Sequence, residues 1–120
     1  MDVNEFQYLS KRTMPQPQVI NGKEIYSKLN KINYSMGIAG EAGELIDQTK
    51  KEIFHGHPED IDSKKKEVGD IMHYLAGYAT MHGFTLSEAM DINIKKLSTR
   101  YPNGFNKQDS IKRVDVNGDK

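Results

Sequence analysis

Two pairs of carboxylates are the residues of this sequence whose types and spacing could do chemistry. Glu41 and Glu44 are three positions apart, and so are Glu67 and Asp70. Side chains at this spacing are neighbours on one face of a helix. Four carboxylates at a seam between two helices would repel one another unless a cation lay among them. Mg²⁺, with Mn²⁺ as a substitute, takes oxygen ligands of this kind and leaves positions for phosphate oxygens, which is the chemistry of phosphoryl transfer.

A single pair of acids at this spacing is usually a solvated helix face, so the surroundings of the two pairs matter. Each pair lies at the edge of an apolar stripe and has glycines close to it on the same predicted helix. A glycine in a helix interior lowers the stability of the helix by about 1 kcal/mol relative to alanine. Close helix–helix contact explains such glycines, and it is compatible with a need for acids from two helices to meet. The glycines are Gly37, Gly40, Gly43, Gly69 and Gly77.

The elements that must position these acids are four helical segments, predicted from apolar spacing and from breaking residues. They cover about residues 4–11, 24–54, 61–83 and 85–101, with a loop at 15–23. The fourth opens with the capping-box pattern Thr85-Leu86-Ser87-Glu88. Strand signals are weak throughout, so the expected fold is all-α, an antiparallel bundle of about four helices. Residues 1–105 form the predicted domain, and the polar tail 106–120 is either disordered or lies along a partner surface.

Composition narrows the classes of protein that the chain can belong to. Its 120 residues suffice for one domain, and 17 basic residues balance 17 acidic ones, so no excess charge points to nucleic acid. The absence of cysteine excludes disulfides and thiolate chemistry. The first residues lack the pattern of a signal peptide, and no apolar run approaches membrane-helix length. We therefore expect a cytoplasmic protein without nucleic-acid or membrane partners.

The stretches around the acids resemble the MazG-like nucleotide pyrophosphohydrolases. The resemblance rests on residues 37–45 (GIAGEAGEL), Lys50-Lys51, the FHGHP turn, the run 67–70 (EVGD) with Tyr74, and residues 93–102 (NIKKLSTRYP). It covers roughly residues 4 to 105. Many members begin the acidic motif with two adjacent glutamates, whereas Gly40 precedes Glu41 here, and this departure leaves the four acidic positions intact.

The resemblance implies a function that the residues alone do not specify. Members bind Mg²⁺ through the positions of Glu41, Glu44, Glu67 and Asp70, which would be both metal ligands and catalytic residues. They hydrolyse nucleoside triphosphates between the α and β phosphates and assemble as dimers or as tetramers built from dimers. A homo-oligomer would complete the helical core. In the expected mechanism a water, deprotonated with help from a glutamate, attacks the α-phosphorus, and the biological use is removal of unwanted nucleotides.

Five further residues are predicted to contact the substrate, each with a plainer alternative. Lys51 lies two turns after Glu44 and could reach a phosphate, or it could simply be a solvated lysine. Asn93, Lys96 and Arg100 share one stripe of the fourth helix, where an exposed polar face is the alternative. Tyr74, one turn after Asp70, could stack on a base or bond a phosphate, or it could be a core tyrosine.

Two functions of another class compete with hydrolysis. The chain could be a helical dimer whose acids bind metal only for stability, or a regulatory module that binds a nucleotide without cutting it. Retention of all four acids argues against both. A di-iron site at Asp70-x-x-His73 lacks a matching second pair. The base preference is not set by the sequence, and Phe6, Gln7 and Tyr34 are only weak candidates for a base pocket.

Overall fold

A computed structural model describes residues 1–16, 19–24 and 26–118, and it confirms the predicted all-α class. The four predicted helical segments correspond to helices α1 to α4. The elements are α1 Val3–Ser10, a 3₁₀ turn Lys11–Thr13, β1 Val19–Ile20, β2 Lys23–Glu24, α2 Tyr26–His55, α3 Ile61–Met81, α4 Leu86–Arg100, α5 Lys107–Lys112 and α6 Val114–Asn117. The chain divides into two compact units, residues 1–86 and 87–120, which are described separately.

Capping residues fix where α3 begins and ends, which sets the level of its acids. The Asp60 side chain accepts a hydrogen bond from the Ser63 backbone N–H at 3.0 Å and caps the first turn. At the other end Gly83 has a φ of +77°, a conformation that favours glycine and ends the helix. The predicted start of this helix near residue 61 is confirmed, and Gly83 lies at its predicted end.

A small hairpin occupies part of the segment that we predicted to be a loop. Val19 pairs with Glu24 and Ile20 with Lys23 in antiparallel register. The turn between them is Asn21-Gly22, and both residues have positive φ, +53° and +74°, as a type I′ turn requires. The loop prediction was therefore wrong at residues 19–23, where the Asn-Gly pair was the available signal. Residues 17 and 18 of that loop lie outside the described residues.

Helices α2 and α3 pack antiparallel through two reciprocal tyrosine–glycine contacts. A Cβ built on Gly37 of α2 would overlap the ring of Tyr74 of α3, and one built on Gly77 of α3 would overlap the ring of Tyr34 of α2. The two rings meet edge to face, with centroids 5.4 Å apart. Close helix contact is therefore confirmed as the reason for these two glycines.

Helix α1 is fixed to the end of α3 by the buried side chain of Gln7. Its amide nitrogen donates to the Thr80 hydroxyl at 3.2 Å and to the Phe84 carbonyl at 3.0 Å, and its amide oxygen accepts from the Leu86 N–H at 2.8 Å. The Asn30 amide donates to the Pro15 carbonyl at 3.0 Å and fixes the segment after α1 in the same way. Both polar groups of Gln7 are thus engaged in structural hydrogen bonds.

The second unit contains an ion pair between α4 and α6. The Arg100 guanidinium donates from Nε and Nη2 to the two carboxylate oxygens of Asp115, each at 2.8 Å. The Asp115 side chain is only 2% exposed. Residues 107–112 and 114–117 are helical rather than disordered. The division of the chain into a domain 1–105 and a tail 106–120 stays a prediction.

Within the part of the chain that the structure describes, no helix has both the length and the apolar character needed to cross a membrane.

Candidate metal centre

The structure brings the four predicted acids together where α2 faces α3. One carboxylate oxygen from each of Glu41, Glu67 and Asp70 lies within 4.8 Å of the other two. Glu44, one turn after Glu41, lines the same cleft as Glu67 and acts on its carboxyl electrostatically. The antiparallel packing of the two helices is the cause, since it sets the two i, i+3 pairs at the same level. We call these four residues the acidic cluster, and Glu67 lies at its centre. The cluster consists of Glu41, Glu44, Glu67 and Asp70.

Glu67 has a raised pKa and a buried oxygen without a partner among the described residues. Burial raises the pKa of Glu67 above the usual carboxyl range, and the nearby charges of Glu44, Glu41 and Asp70 raise this pKa further. Its Oε2 atom is buried and has no hydrogen-bond partner among the described residues. A buried carboxylate oxygen without a partner is costly. The four acids by themselves therefore repel one another and leave a buried oxygen without a partner among the described residues.

A hard divalent cation fits this donor set. The oxygens belong to carboxylates, which Mg²⁺ prefers over nitrogen or sulfur. A cation among them would offset the repulsion and give the Oε2 atom of Glu67 a partner. Glu41 and Glu67 are half-buried whereas Asp70 is exposed, so the cluster is open to solvent on one side. An ion held there would have coordination positions facing outwards.

A polar cleft of about 500 Å³ adjoins the acidic cluster and is large enough for a small ligand. A Cβ built on Gly40 or Gly43 would have no neighbour within 4 Å, so these two glycines do not serve helix contact. They keep one wall of the cleft free of side chains. The cleft is lined by Gly40, Gly43, Glu44, Asp47, Gln48, Lys51 and Glu67.

Comparison with known proteins agrees with this site. The model of the MazG nucleotide pyrophosphohydrolase domain matches residues 30–105, more than half of the chain. The chain belongs to this family. Helices α2 and α3, which carry the acidic cluster, lie almost entirely inside the matched range, and the MazG family is generally dependent on divalent metal. The family is described as one of nucleotide pyrophosphohydrolases.

A curated relative of the MazG chain is the "Gene 37 protein" of Mycobacterium phage L5, whose name states no activity. It is 34% identical over 74 residues, and the match covers 58% of this chain. The chain spans 65% of the length of the phage protein. No solved structure matches the chain significantly.

Lys51 lies beside the acidic cluster, and its contact with substrate stays a prediction. It lines the cleft together with Glu44 and Glu67. Its Nζ atom lies 2.9 Å from Oδ2 of Asp47, and Lys50 lies 3.2 Å from Oδ1 of the same carboxylate. The hydrogen bonds from Lys51 and Lys50 lower the pKa of Asp47. Lys51 is thus held beside the cleft by an ion pair with Asp47.

The other four predicted substrate contacts are placed differently. The ring of Tyr74 covers Gly37 and is part of the packing between α2 and α3. Asn93 and Lys96 are exposed on α4, in the second unit, and Arg100 is paired with Asp115. Substrate contact by these four residues stays a prediction.

Two polar residues beside the acidic cluster were missed from the sequence. The Gln48 amide nitrogen donates to the Ser63 hydroxyl at 2.9 Å and to Oε1 of Glu67 at 3.3 Å. A spacing signal was available, because Gln48 lies one turn after Glu44 and Ser63 one turn before Glu67. Residues one turn from a ligand on the same helix face are where hydrogen bonds to that ligand are expected.

Proposed function

We propose that the chain is a Mg²⁺-dependent nucleoside triphosphate pyrophosphohydrolase, which cleaves between the α and β phosphates to give a nucleoside monophosphate and pyrophosphate. One observation carries the proposal. Carboxylate oxygens of Glu41, Glu67 and Asp70 lie within 4.8 Å of one another, and Glu67 has a buried oxygen without a partner among the described residues, in a chain of the MazG family. A cation site beside a polar cleft is what hydrolysis of a triphosphate requires.

The residues of the acidic cluster would hold the ion. Bound Mg²⁺ supplies charge neutralisation and orientation for the triphosphate. In this proposal Glu44 would accept a proton from the attacking water, which its exposure and its position along the cleft support. The water oxygen forms a bond to the α-phosphorus, and the bond from that phosphorus to the bridging oxygen of the β-phosphate breaks. Lys51 offsets the charge of the departing pyrophosphate.

The position of attack can be tested with water enriched in the heavy oxygen isotope. Ribo-, deoxy- and modified triphosphates are incubated with the protein and Mg²⁺, and the products are analysed by mass spectrometry. We expect monophosphate and pyrophosphate in equal amounts, with the label in the monophosphate. Label in pyrophosphate, or release of a diphosphate and inorganic phosphate, would contradict attack at the α-phosphorus. Saturable binding without turnover would support the regulatory-module alternative. The best substrate in the panel would identify the base preference and the unwanted nucleotide that the enzyme removes.

We propose further that the chain is a homodimer, or a tetramer built from dimers. Ile61, Val68, Met72 and Leu75 are spaced as one stripe on α3, yet their side chains are 52%, 46%, 37% and 38% exposed. An apolar stripe exposed over this length is typical of a face that a partner subunit covers. Light scattering on the purified chain should give at least twice the mass of 13.7 kDa, and a monomer mass would contradict the proposal.

A further inference from the structure

We propose that Gln48 is a positioning residue that orients the Glu67 carboxylate for metal binding. The inference rests on the proposed metal-dependent function and adds to it a residue outside the acidic cluster. Gln48 lies on α2, across the helix interface from Glu67 on α3, and it lines the cleft beside the cluster.

The hydrogen bonds of Gln48 leave one arrangement of its amide group. The amide nitrogen carries two hydrogens, and it has two acceptors, the Ser63 hydroxyl at 2.9 Å and Oε1 of Glu67 at 3.3 Å. Rotating the amide by half a turn would place its oxygen against the Glu67 carboxylate and lose the hydrogen bond to Oε1, whereas the Ser63 hydroxyl would then donate to the amide oxygen. Donation to Oε1 leaves Oε2 as the buried oxygen without a partner among the described residues. Gln48 therefore distinguishes the two oxygens of Glu67 and keeps one of them available.

The Ser63 end of this arrangement is itself fixed. The backbone N–H of Ser63 donates to the capping carboxylate of Asp60, so the hydroxyl starts from a defined first turn of α3. One turn along α3 is Glu67, and Gln48 reaches both residues from α2. Lys64, next to Ser63, joins the same two helices through a 3.0 Å ion pair with Glu52. The amide of Gln48 is thus bonded to a turn of α3 that a helix cap and an ion pair hold in place.

A carboxylate that is already oriented before the ion binds gives the site a higher metal affinity. Without the hydrogen bond from Gln48, the Glu67 side chain would populate several rotamers. Binding of an ion would then have to restrict the side chain to one rotamer, at a cost in conformational entropy. Residues that hydrogen-bond a metal ligand usually change metal affinity or activity by roughly 10–100-fold when they are replaced. The same range is expected for Gln48, because its amide donates directly to Oε1 of Glu67.

The test replaces Gln48 with methionine, which is similar in length and cannot donate. The full-length chain is titrated with Mn²⁺ in a calorimeter without substrate. Gln48→Met is expected to raise the Kd for Mn²⁺ by about 10–100-fold. In turnover assays at saturating metal we expect kcat to fall more than KM changes. Gln108→Met, the same change at an exposed position of α5, should leave the Kd and the turnover unchanged.

A pair of variants at Ser63 provides a second test that is independent of how well Gln48→Met folds. Ser63→Ala keeps the backbone cap but removes the acceptor of the Gln48 amide, and Ser63→Thr retains a hydroxyl. We expect Ser63→Ala to weaken Mn²⁺ binding and Ser63→Thr to restore it.

The outcomes separate this proposal from the proposed function. An unchanged Kd in folded Gln48→Met and Ser63→Ala would overturn the role of Gln48 and leave the metal site standing. Wild-type protein that binds Mn²⁺ without hydrolysing any triphosphate would overturn the proposed enzymatic function. Weaker Mn²⁺ binding by the variants would in that case still support the positioning role of Gln48. Wild-type protein that binds no Mn²⁺ would overturn both.

Discussion

Glu67→Gln is expected to reduce pyrophosphate release by at least about 100-fold, since replacing even an outer partner of a metal ligand commonly costs 10–100-fold. Glu67 is the acid that the other three surround, and it supplies the buried oxygen without a partner. Glutamine preserves the length of the side chain and removes the negative charge that would hold the ion. The loss should therefore come from metal binding and orientation of the substrate, and not from unfolding.

The matched control for this variant is Glu5→Gln, the same change on the exposed surface of α1. Its turnover should equal that of the wild-type protein. Circular dichroism should show unchanged helix content for both variants. If Glu67→Gln retained Mg²⁺-dependent turnover close to the wild-type rate, the acidic cluster would not be the catalytic centre.

The same variant has an expected effect on stability that depends on pH. Because the pKa of Glu67 is raised in the folded chain, the folded state binds this proton more tightly than the unfolded state does. The contribution of Glu67 to the free energy of unfolding therefore falls as pH rises from the ordinary carboxyl value through the raised one. Mg²⁺ replaces the proton, so it should raise the melting temperature more above this interval than below it.

Thermal melting at several pH values, with and without Mg²⁺, measures this effect. Glu67→Gln has no proton to lose, so its metal-free stability should lack the decline, and Mg²⁺ should raise its melting temperature less. An equal Mg²⁺ effect at low and high pH in the wild-type protein would show that the ion does not compete with a proton at Glu67.

The helices and the acidic cluster could be predicted from the sequence because local signals define both. Acids three positions apart share a helix face whatever the partner helix does, and the short turn between α2 and α3 leaves antiparallel packing as the natural arrangement. The residues that predict where α3 begins and ends, near Ile61 and Gly83, are equally local signals. What a residue does on its own helix is therefore predictable without the structure.

Contacts across the helix interface could not be predicted in the same way. Tyr74 has the spacing of a cluster residue, but its ring packs on Gly37 because of the register between the helices. Arg100 has the type and spacing of a phosphate contact, but Asp115 holds its guanidinium. Both contacts depend on how the helices pack, which the sequence does not give, and substrate contact by Tyr74 and Arg100 stays a prediction. The two contacts of Gln48 depend on register for the same reason.

Gly77→Ala is expected to destabilise the protein, although alanine is the better helix former. The added methyl group would overlap the ring of Tyr34, which is only 3% exposed and is also in contact with the rings of Tyr74 and His73. The ring has no free direction in which to move, so the helices must separate. Overpacking of this kind costs about 1–3 kcal/mol. The gain in helix propensity offsets about 1 kcal/mol of that.

Gly69→Ala is the matched control on the same helix. A Cβ at Gly69 would have no neighbour within 4 Å, so this variant should keep its free energy of unfolding or gain up to about 1 kcal/mol. Urea denaturation at one protein concentration measures both variants, since association would make stability depend on concentration. A Gly77→Ala protein as stable as Gly69→Ala would show that the Tyr34 ring does not pack there.

The glycine contacts also set the geometry of the acidic cluster. Gly37 lies one turn before Glu41, and Gly77 lies two turns after Asp70. If Gly77→Ala separates α2 from α3, the carboxylates on the two helices separate as well, and the Kd for Mn²⁺ should rise with the loss of stability. Gly69→Ala lies closer to the acids but leaves the helix spacing alone, so its effect on the Kd should be the smaller of the two. The opposite order would mean that the acidic cluster depends on local surroundings and not on the distance between the helices.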